Sequence, residues 1–230
     1  MFTGVIETIG TVRDLHRGGR SMTIGVMPDA RGGEFGVGLG GSVSIDGVCL
    51  TLESSRDNIF YFTAVAETLD RTTIGGLRAG GRVNMERALA LCNRLDGHFV
   101  LGHVDAVASI VADRRDGDAT VRTIRLPALL APFVAEKGSI AIDGVSLTVV
   151  SVHSDTIAVS LIPFTLEKTT LGLKRAGDRV NVECDVIARY LARLESFGVY
   201  KDASLGTSDE TAKGSSGAAS LFDKMERSGF

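Results

Sequence analysis

The sequence predicts an all-β fold of two tandem antiparallel barrels, followed by one C-terminal α-helix. Three observations predict this class. The chain of 230 residues holds 28 glycines but only 4 prolines, and glycines spread through an apolar chain indicate many tight turns. Short runs rich in β-branched and aromatic residues lie between these turns. A long part of the chain also occurs twice.

The repeat has one constant offset. Residues 41–52 match residues 138–149 at 8 of 12 positions, and residues 67–86 match residues 164–183 at 12 of 20, both at an offset of 97. An offset unchanged across two separated blocks indicates a duplication. Two copies are too few for a solenoid, so we expect two similar domains.

The boundary between the two domains is expected near residues 96–97, which gives an N-terminal domain of residues 1–97 and a C-terminal domain of residues 98–185. Several short strands in each unit indicate a small closed barrel, which leaves no open sheet edge. The clearest strands are expected at residues 44–54, 61–65, 146–152 and 156–162. Short helical turns are expected at residues 70–75 and 127–137.

One longer helix is expected at residues 186–198, with Asp185 as its N-cap and Gly198 as its stop. Its apolar residues follow the helical spacing of i, i+3, i+4 and i+7: Ile187, Tyr190, Leu191 and Leu194. Two interpretations stand side by side, in which the helix packs on its own barrel or contacts another subunit. Residues 199–230 are expected to form a flexible Ser- and Gly-rich tail, to which no function is assigned.

Charge and cysteine content exclude several classes of protein. The 25 Lys and Arg residues against 28 Asp and Glu residues give a net charge of -3, which argues against binding of nucleic acid or an anionic membrane. No apolar run of transmembrane length and no secretory signal is seen. Cys49, Cys92 and Cys184 are odd in number and far apart, which favours a reduced, cytoplasmic compartment.

The strand after Asp46 and Gly47 places small polar residues outside the barrel core. Alternation puts Val48 on the core face and Cys49 and Thr51 on the opposite face. The apolar face is kept across the Asp-Gly pair only if that pair forms a bulge. In the second copy the equivalent polar pair is Ser146 and Thr148. A plain solvated face would explain both pairs, but free cysteine is usually buried, which favours a pocket.

Differences between the two copies point to chemistry. Cys49 is matched by Ser146, Val5 by His103 after a one-residue shift, and Glu67 by Phe164. A thiol is a better nucleophile than a hydroxyl, and a histidine moves protons near neutral pH. A zinc site at Cys92, His98 and His103 is not expected, because the i, i+5 spacing of the histidines puts them on opposite faces of a strand.

Ordered motifs carry a family resemblance. Residues 1–6, the twin Ile-Asp-Gly-Val-(Cys/Ser)-Leu-Thr blocks, Gly-His-Val at residues 102–104, Leu-Ile-Pro at residues 161–163 and the twin Thr-Thr…Arg-Val-Asn-x-Glu endings resemble the α-subunit type of riboflavin synthase. The resemblance covers about residues 1–197. It implies two six-stranded Greek-key barrels and a C-terminal helix that assembles a homotrimer.

The resemblance also implies a reaction. Two molecules of 6,7-dimethyl-8-ribityllumazine exchange a four-carbon unit, which gives riboflavin and 5-amino-6-ribitylamino-2,4(1H,3H)-pyrimidinedione. No metal or organic cofactor is implied, and association with lumazine synthase is an expected partnership. Each site would lie between the N-terminal barrel of one subunit and the C-terminal barrel of its neighbour. A non-catalytic lumazine- or flavin-binding protein of the same fold is the alternative.

Site residues follow from the resemblance position by position. The expected catalytic residues are Cys49, His103, Ser146 and Thr148. His103 would accept a proton, aided by Ser146 and Thr148, while Cys49 would add to or polarise the partner lumazine. Contacts assigned to the N-terminal barrel are Gly4, Val5, Ile6, Cys49, Leu50, Thr51, Thr63, Ala64, Val65, Ala66, Glu67 and Thr68. Contacts assigned to the C-terminal barrel are Gly102, His103, Val104, Lys137, Ser146, Leu147, Thr148, Ser160, Leu161, Ile162, Pro163, Phe164 and Thr165. Ser42 and Asp143 are further substrate-binding candidates.

Overall fold

Twelve β-strands close into two six-stranded antiparallel barrels in the computed structural model, which describes residues 1–29 and 35–197. Both barrels belong to one compact unit, Met1–Val186. The predicted fold class of two tandem barrels is confirmed. The expected domain boundary at residues 96–97 falls in the connection between the last strand of the first barrel and the first strand of the second.

The N-terminal barrel has the strand order β1-β2-β5-β4-β3-β6, and β6 closes it against β1. Its strands are β1 Thr8–Gly18, β2 Ser21–Pro28, β3 Ser42–Ile45, β4 Val48–Arg56, β5 Ile59–Val65 and β6 Arg82–Arg87. The short helix α1, Ala66–Arg71, and a 3-10 turn, Thr73–Gly76, connect β5 to β6. They lie where the sequence predicts a helical turn.

The C-terminal barrel repeats this connectivity, in the order β10-β11-β8-β7-β12-β9. Its strands are β7 Ala106–Asp116, β8 Ala119–Arg125, β9 Ser139–Ile142, β10 Val145–His153, β11 Thr156–Leu161 and β12 Arg179–Cys184. Helix α2, Pro163–Lys168, and the 3-10 turn Thr170–Leu173 correspond to α1 and its turn. A further 3-10 helix, Ala128–Phe133, precedes β9.

The repeated Asp-Gly pairs are hairpin turns. Asp46 and Gly47 have φ of 45° and 80°, and Asp143 and Gly144 have 46° and 79°. Ile45 lies opposite Val48 across the turn, which is the two-residue hairpin that Asp-Gly favours. The expectation of one continuous strand with a bulge at this pair was therefore wrong. Apolar residues on both sides still face the core because the chain reverses there.

Each barrel encloses its own apolar core. Ile24, Phe62 and Met85 are fully buried in the N-terminal barrel, and Ile124 and Ile140 are fully buried in the C-terminal barrel. Burying one large aliphatic or aromatic side chain contributes roughly 1.5–3 kcal/mol. Alternation along each strand then leaves the remaining side chains on the outside, where a ligand is able to reach them.

The two barrels meet through a two-fold related set of hydrogen bonds. Asn84 Nδ2 donates to the carbonyl oxygen of Asp143 at 2.9 Å, and Asn181 Nδ2 donates to that of Asp46 at 2.8 Å. The carboxylates of Asp46 and Asp143 in turn accept from the main-chain N–H groups of Asn84 and Asn181 at 2.7 Å. The repeated Asp and Asn motifs therefore build the contact between the barrels.

One lysine breaks the symmetry of this contact. Lys174 Nζ lies 2.5 Å from Asp143 Oδ2, and the equivalent position in the first copy is Leu77. Burial raises the pKa of Asp46 to about 8, and the charge of Asp143 adds to the rise. Burial also raises the pKa of Asp143, although Lys174 opposes that shift. Because Lys174 pairs directly with Asp143, we expect Asp46 to be the carboxyl group that keeps its proton near neutral pH.

The C-terminal helix α3, Val186–Ser196, begins directly after Asp185 as the sequence predicts. Its apolar side chains are between 37% and 69% exposed: Ile187, Tyr190, Leu191 and Leu194. The expected stop at Gly198 and the expected tail lie outside the described residues. None of the helices in the described part of the chain is long and apolar enough to cross a membrane.

Candidate functional site

The segment that precedes the first strand of each barrel lies against the other barrel. The carbonyl oxygen of Gly4 accepts a hydrogen bond from the main-chain N–H of Ser146 at 2.8 Å, and that of Gly102 accepts one from Cys49 at 3.0 Å. Both glycines have positive φ, 79° and 77°. A Cβ would lie 2.6 Å from Ser146 Cβ at Gly4 and 2.5 Å from Cys49 Cβ at Gly102. Glycine is needed at both positions for the backbone angle and for the close approach.

Each barrel thus packs its first segment against the other barrel, an arrangement that we call the segment exchange. It corrects the assignment of the predicted substrate contacts to the two barrels. The sequence predicts that Gly4, Val5 and Ile6 belong to the N-terminal barrel, but Gly4 contacts Ser146 and Ile6 packs against the core of the C-terminal barrel. Val104 likewise packs against the core of the N-terminal barrel. The error has a physical reason, because a repeat alignment shows which segments are equivalent but not which barrel each one contacts.

Two buried glutamates fix the exchanged segments. Glu86 accepts hydrogen bonds from the N–H of Thr3 at 2.6 Å, its hydroxyl at 2.8 Å and the N–H of Gly4 at 3.0 Å. Glu183 accepts from the N–H groups of Leu101 at 2.7 Å and Gly102 at 2.9 Å. Burial raises the pKa of both carboxyl groups, and the backbone donors oppose the rise. The repeated Glu that ends each Arg-Val-Asn-x-Glu motif was the available signal for this anchor.

The outer face of the N-terminal barrel carries Cys49 and Thr51 as predicted. Cys49 is half-buried and packs against Phe2 and Val100, whereas Thr51 is exposed. Ser42 lies directly opposite Thr51 on the neighbouring strand β3. These residues share one polar surface, which we call the N-face, with the half-buried Thr63 on β5.

One member of the N-face, Glu53, follows from the alternation along β4 but is not among the predicted substrate contacts. Glu53 Oε2 accepts a hydrogen bond from Thr63 Oγ1 at 2.8 Å. Glu53 lies two residues after Thr51 on β4 and is exposed, so the alternation that identified Thr51 also identifies it. The bond orients the Thr63 hydroxyl and adds a carboxylate to the rim of the N-face.

The outer face of the C-terminal barrel, the C-face, is built in the same way. Ser146 is half-buried, and Thr148 and Ser160 are exposed. Lys137 is also exposed, and its main-chain N–H donates to Val149 at 2.8 Å, which holds it beside strand β10. The structure thus groups the predicted polar contacts of each barrel on one surface.

Several predicted contacts have side chains in the barrel cores. They are Leu50, Ala64, Leu147 and Leu161, whose exposed fractions are 5%, 0%, 8% and 0%. These positions are able to offer a ligand only their backbone. Asp143 was also predicted as a substrate contact, but it is fully buried in the contact between the barrels. That prediction was wrong, because its carboxylate is held by Asn181 and Lys174.

The first turns of α1 and α2 lie beside these faces. The predicted residues there include half-buried and exposed positions: Val65, Ala66, Glu67, Thr68, Ile162, Pro163, Phe164 and Thr165. Glu67 pairs with Arg71 one turn later. In the second copy Lys168 Nζ lies 5.9 Å from the centre of the Phe164 ring. The same surface position is thus anionic in one barrel and aromatic in the other.

Two of the four histidines have distinct places near the two faces. His103 is exposed and follows Gly102, so the exchange carries it to the Cys49 side. Ser146 instead has His98 as its partner, with 2.7 Å between Nδ1 and Oγ. The sequence suggested His103 for this contact, and His98 entered only as a discarded zinc ligand. In the described residues no three His, Cys, Asp or Glu side chains form a group able to hold a metal ion.

Two open pockets lie beside the segment that precedes the first strand of the N-terminal barrel. One of about 740 Å³ is lined by Thr3, Val5 and Ser42, and another of about 730 Å³ is lined by Ile6 and Phe164. Both volumes suit a small organic ligand. A larger cavity of about 1070 Å³ lies over the contact between the barrels, where Asp46 and Lys174 line it, and Ala66 is the one predicted site residue in its lining. None of the expected catalytic residues Cys49, His103, Ser146 and Thr148 lines any of these three cavities.

Comparison with known proteins agrees with this arrangement. Residues 3–88 and 101–185 each match the lumazine binding domain. The riboflavin synthase of Mycobacterium bovis is 46% identical over 201 residues, covering 84% of this chain and 98% of that protein. That of Brucella abortus is 42% identical over 205 residues, covering 86% and 99%, and that of Bacillus subtilis is 37% identical over 194 residues, covering 84% and 89%.

Solved structures show the same fold. LumP complexed with riboflavin has a TM-score of 0.72 at 23% identity, covering 80% of this chain and 99% of that chain. LumP complexed with 6,7-dimethyl-8-(1'-D-ribityl) lumazine has a TM-score of 0.70 at 22% identity, with the same coverage. With two lumazine binding domains and these close relatives, the chain belongs to the riboflavin synthase family.

Proposed function

We propose that the chain catalyses the dismutation of two 6,7-dimethyl-8-ribityllumazine molecules into riboflavin and 5-amino-6-ribitylamino-2,4(1H,3H)-pyrimidinedione. A four-carbon unit passes from one molecule to the other, and no metal or organic cofactor takes part. One observation carries the proposal. The N-face and the C-face are equivalent polar surfaces, each bordered by a glycine segment from the other barrel, which suits two copies of one substrate.

Holding the two substrate molecules in a fixed relative orientation is expected to account for much of the acceleration of the reaction. Holding two reactants in the reacting geometry lowers a barrier by up to roughly 7–11 kcal/mol. The two substrates must nevertheless play different parts, since one loses a proton from its C7 methyl group and the other is attacked at C7. His103 is the proposed proton acceptor, and Cys49 acts on the partner lumazine. Ser146 and Thr148 supply hydroxyl groups on the C-face.

A homotrimer would bring the two faces together. The exposed apolar side chains of α3 support assembly, because such a stripe is usually covered by a partner. In this arrangement the N-face of one subunit meets the C-face of its neighbour. His103 and Cys49 then lie across from Ser146 and Thr148, which accounts for their separate places within one chain. A cytoplasmic location and an association with lumazine synthase belong to the same proposal.

The test of the reaction needs one substrate. The purified protein is mixed with 6,7-dimethyl-8-ribityllumazine alone, and riboflavin formation is followed by fluorescence. We expect riboflavin and the pyrimidinedione in equal amounts. Tight binding of the lumazine without turnover would instead support a non-catalytic binding protein, and absence of binding would exclude both functions.

The test of assembly uses α3. Leu191→Asp places a charge in the apolar stripe and is expected to give monomers by light scattering, whereas Ser196→Asp at the end of the helix leaves the trimer intact. A trimer that persists in Leu191→Asp would contradict the proposed role of the helix.

A further inference from the structure

His98 is a buried histidine that the proposed chemistry does not use. Its side chain is 7% exposed, and Nδ1 lies 2.7 Å from Ser146 Oγ. Nε2 is buried and has no hydrogen-bond partner in the described part of the chain. Burying a ring nitrogen without a hydrogen-bond partner costs free energy of folding. Such a group in a folded protein needs an explanation, and a functional role is one.

The surrounding backbone holds His98 in this position. Its main-chain N–H donates to the carbonyl oxygen of Thr3 at 3.1 Å. A Cβ at the preceding Gly97 would lie 2.1 Å from that same oxygen and 2.9 Å from Ser146 Cβ. The glycine therefore allows the His98 segment, the Thr3 segment and strand β10 to approach closely around Ser146.

The N-face shows a different arrangement. Cys49, the counterpart of Ser146, packs against the apolar side chains of Phe2 and Val100. A thiol is a weak hydrogen-bond donor and acceptor, whereas a hydroxyl is strong in both roles. The two faces therefore differ in their hydrogen-bonding capacity at one equivalent position.

The donor in the His98–Ser146 bond follows from burial. Burial lowers the pKa of His98, and the charge of Asp185 only partly opposes this shift, so the imidazole is neutral near pH 7. A neutral imidazole has one N–H donor and one bare acceptor nitrogen. Buried N–H groups without a partner are rarer than unfilled acceptors. The proton therefore belongs on Nδ1, which donates to Ser146 Oγ, and the bare Nε2 is the nitrogen without a partner.

We infer that His98 is a positioning residue, which fixes the Ser146 hydroxyl as a hydrogen-bond donor to an acceptor atom of the substrate on the C-face. With its oxygen occupied by His98, Ser146 is free to direct its own hydrogen towards a carbonyl oxygen or ring nitrogen of a bound pteridine-type ring. The N-face offers no equivalent donor at Cys49. This inference rests on the proposed function, and it explains how two identical substrates are held differently.

A double-mutant cycle tests whether His98 acts through Ser146. His98→Phe and Ser146→Ala are each expected to lower kcat/KM by about tenfold, the size of one lost hydrogen bond, and the double variant is expected to lose no more than either. His98→Asn retains an N–H near Nδ1 and is expected to recover most of the activity. His153→Asn, at an exposed position on strand β10, is the control and is expected to match the wild type. Additive losses would overturn the inference.

Two measurements test the role of His98 without relying on catalytic turnover. Riboflavin binding, followed by fluorescence quenching, gives the same cycle without turnover. Nitrogen NMR of the folded wild type with labelled histidine reports the tautomer of His98, and Ser146→Ala is expected to shift its Nδ1 signal. The inference would be overturned if the proton were on Nε2, or if the Nδ1 signal of His98 did not change in Ser146→Ala. This outcome is informative even if His98→Phe fails to fold. A wild type that binds riboflavin but makes none would refute the proposed reaction alone.

Discussion

The two barrels share a scaffold but differ at their faces. The hydrogen-bonding residues that join the barrels are the same in both copies, as in the pairs Asp46 with Asp143 and Asn84 with Asn181, and Lys174 is the exception described above. The faces have changed at equivalent positions, where Cys49, Glu53 and Glu67 are replaced by Ser146, Val150 and Phe164. The symmetric contact keeps the faces in fixed places, so their side chains are able to differ without a change of fold.

The largest effect is expected from a substitution that disrupts the contact between the two barrels. Gly47 has φ of 80°, and a Cβ there would lie 2.6 Å from the main-chain nitrogen of Gly144 in the other barrel. Gly47→Ala is expected to lower the free energy of unfolding by about 3–4 kcal/mol in urea titrations, from both strain and overlap. Gly80 has φ of 82° with no atom within 4 Å of a Cβ, so Gly80→Ala is the matched control at about 1–2 kcal/mol. Equal losses would show that the barrels do not need this approach.

The next effect concerns the histidine that only one copy carries. His103→Gln is expected to lower kcat for riboflavin formation by about 100-fold, because glutamine does not accept a proton. Circular dichroism should show an unchanged fold, since His103 is exposed. His153→Gln is the control, with no expected loss. A rate near that of the wild type in His103→Gln would remove its assigned role.

A smaller effect is expected from making the two faces alike. Cys49→Ser gives both barrels a hydroxyl, and we expect turnover to fall about tenfold because a hydroxyl is the weaker nucleophile. Riboflavin affinity should change little, since the half-buried side chain keeps nearly its size. Unchanged turnover would mean that the thiol has no chemical part.

The most gradual effect, spread over several pH units, separates the two repeated aspartates. The pKa of Asp46 is raised to about 8 from an ordinary value of 3.8. The folded state therefore retains a proton that the unfolded state releases, and its stabilising contribution is present below pH 3.8 and is lost as the pH rises through about 8. In urea titrations we expect stability to fall between these limits, by less than about 1.4 kcal/mol per pH unit, the limit for one proton.

Two amide variants test this difference. Asp46→Asn is expected to flatten the fall of stability with pH, because the neutral amide still accepts from Asn84. Asp143→Asn is expected to destabilise the protein at all pH values, because it leaves the ammonium group of Lys174 without its nearest carboxylate. Identical behaviour of the two variants would contradict the assignment of the proton to Asp46.

Much of the fold follows from the sequence because its signals are local or repeated. The constant offset predicted the two barrels, and the alternation after Val48 predicted which side chains lie outside. The hairpin at Asp46 and Gly47 was missed, although Asp-Gly is a strong turn signal. The Asp-Gly motif is recognised in the sequence, but a continuous strand is predicted there, whereas the chain reverses direction.

The parts that were missed depend on contacts between distant segments. Gly4 meets Ser146, and His98 meets the same residue across 48 positions. No periodicity encodes which barrel a segment outside the strands will contact. Asp143 likewise pairs with Lys174, which comes from a distant segment of the chain. Composition and spacing therefore identified chemical groups, whereas tertiary structure decided their partners.

The exchange of Gly4 and Gly102 segments has an evolutionary consequence. Two equivalent halves that each lend their first segment to the other have the form of a swapped homodimer whose chains have been joined. In a homodimer every mutation changes both halves at once. In one joined chain that constraint is absent, and the equivalent positions hold Cys49 in one half and Ser146 in the other. The two faces of a single chain are therefore able to change independently of each other.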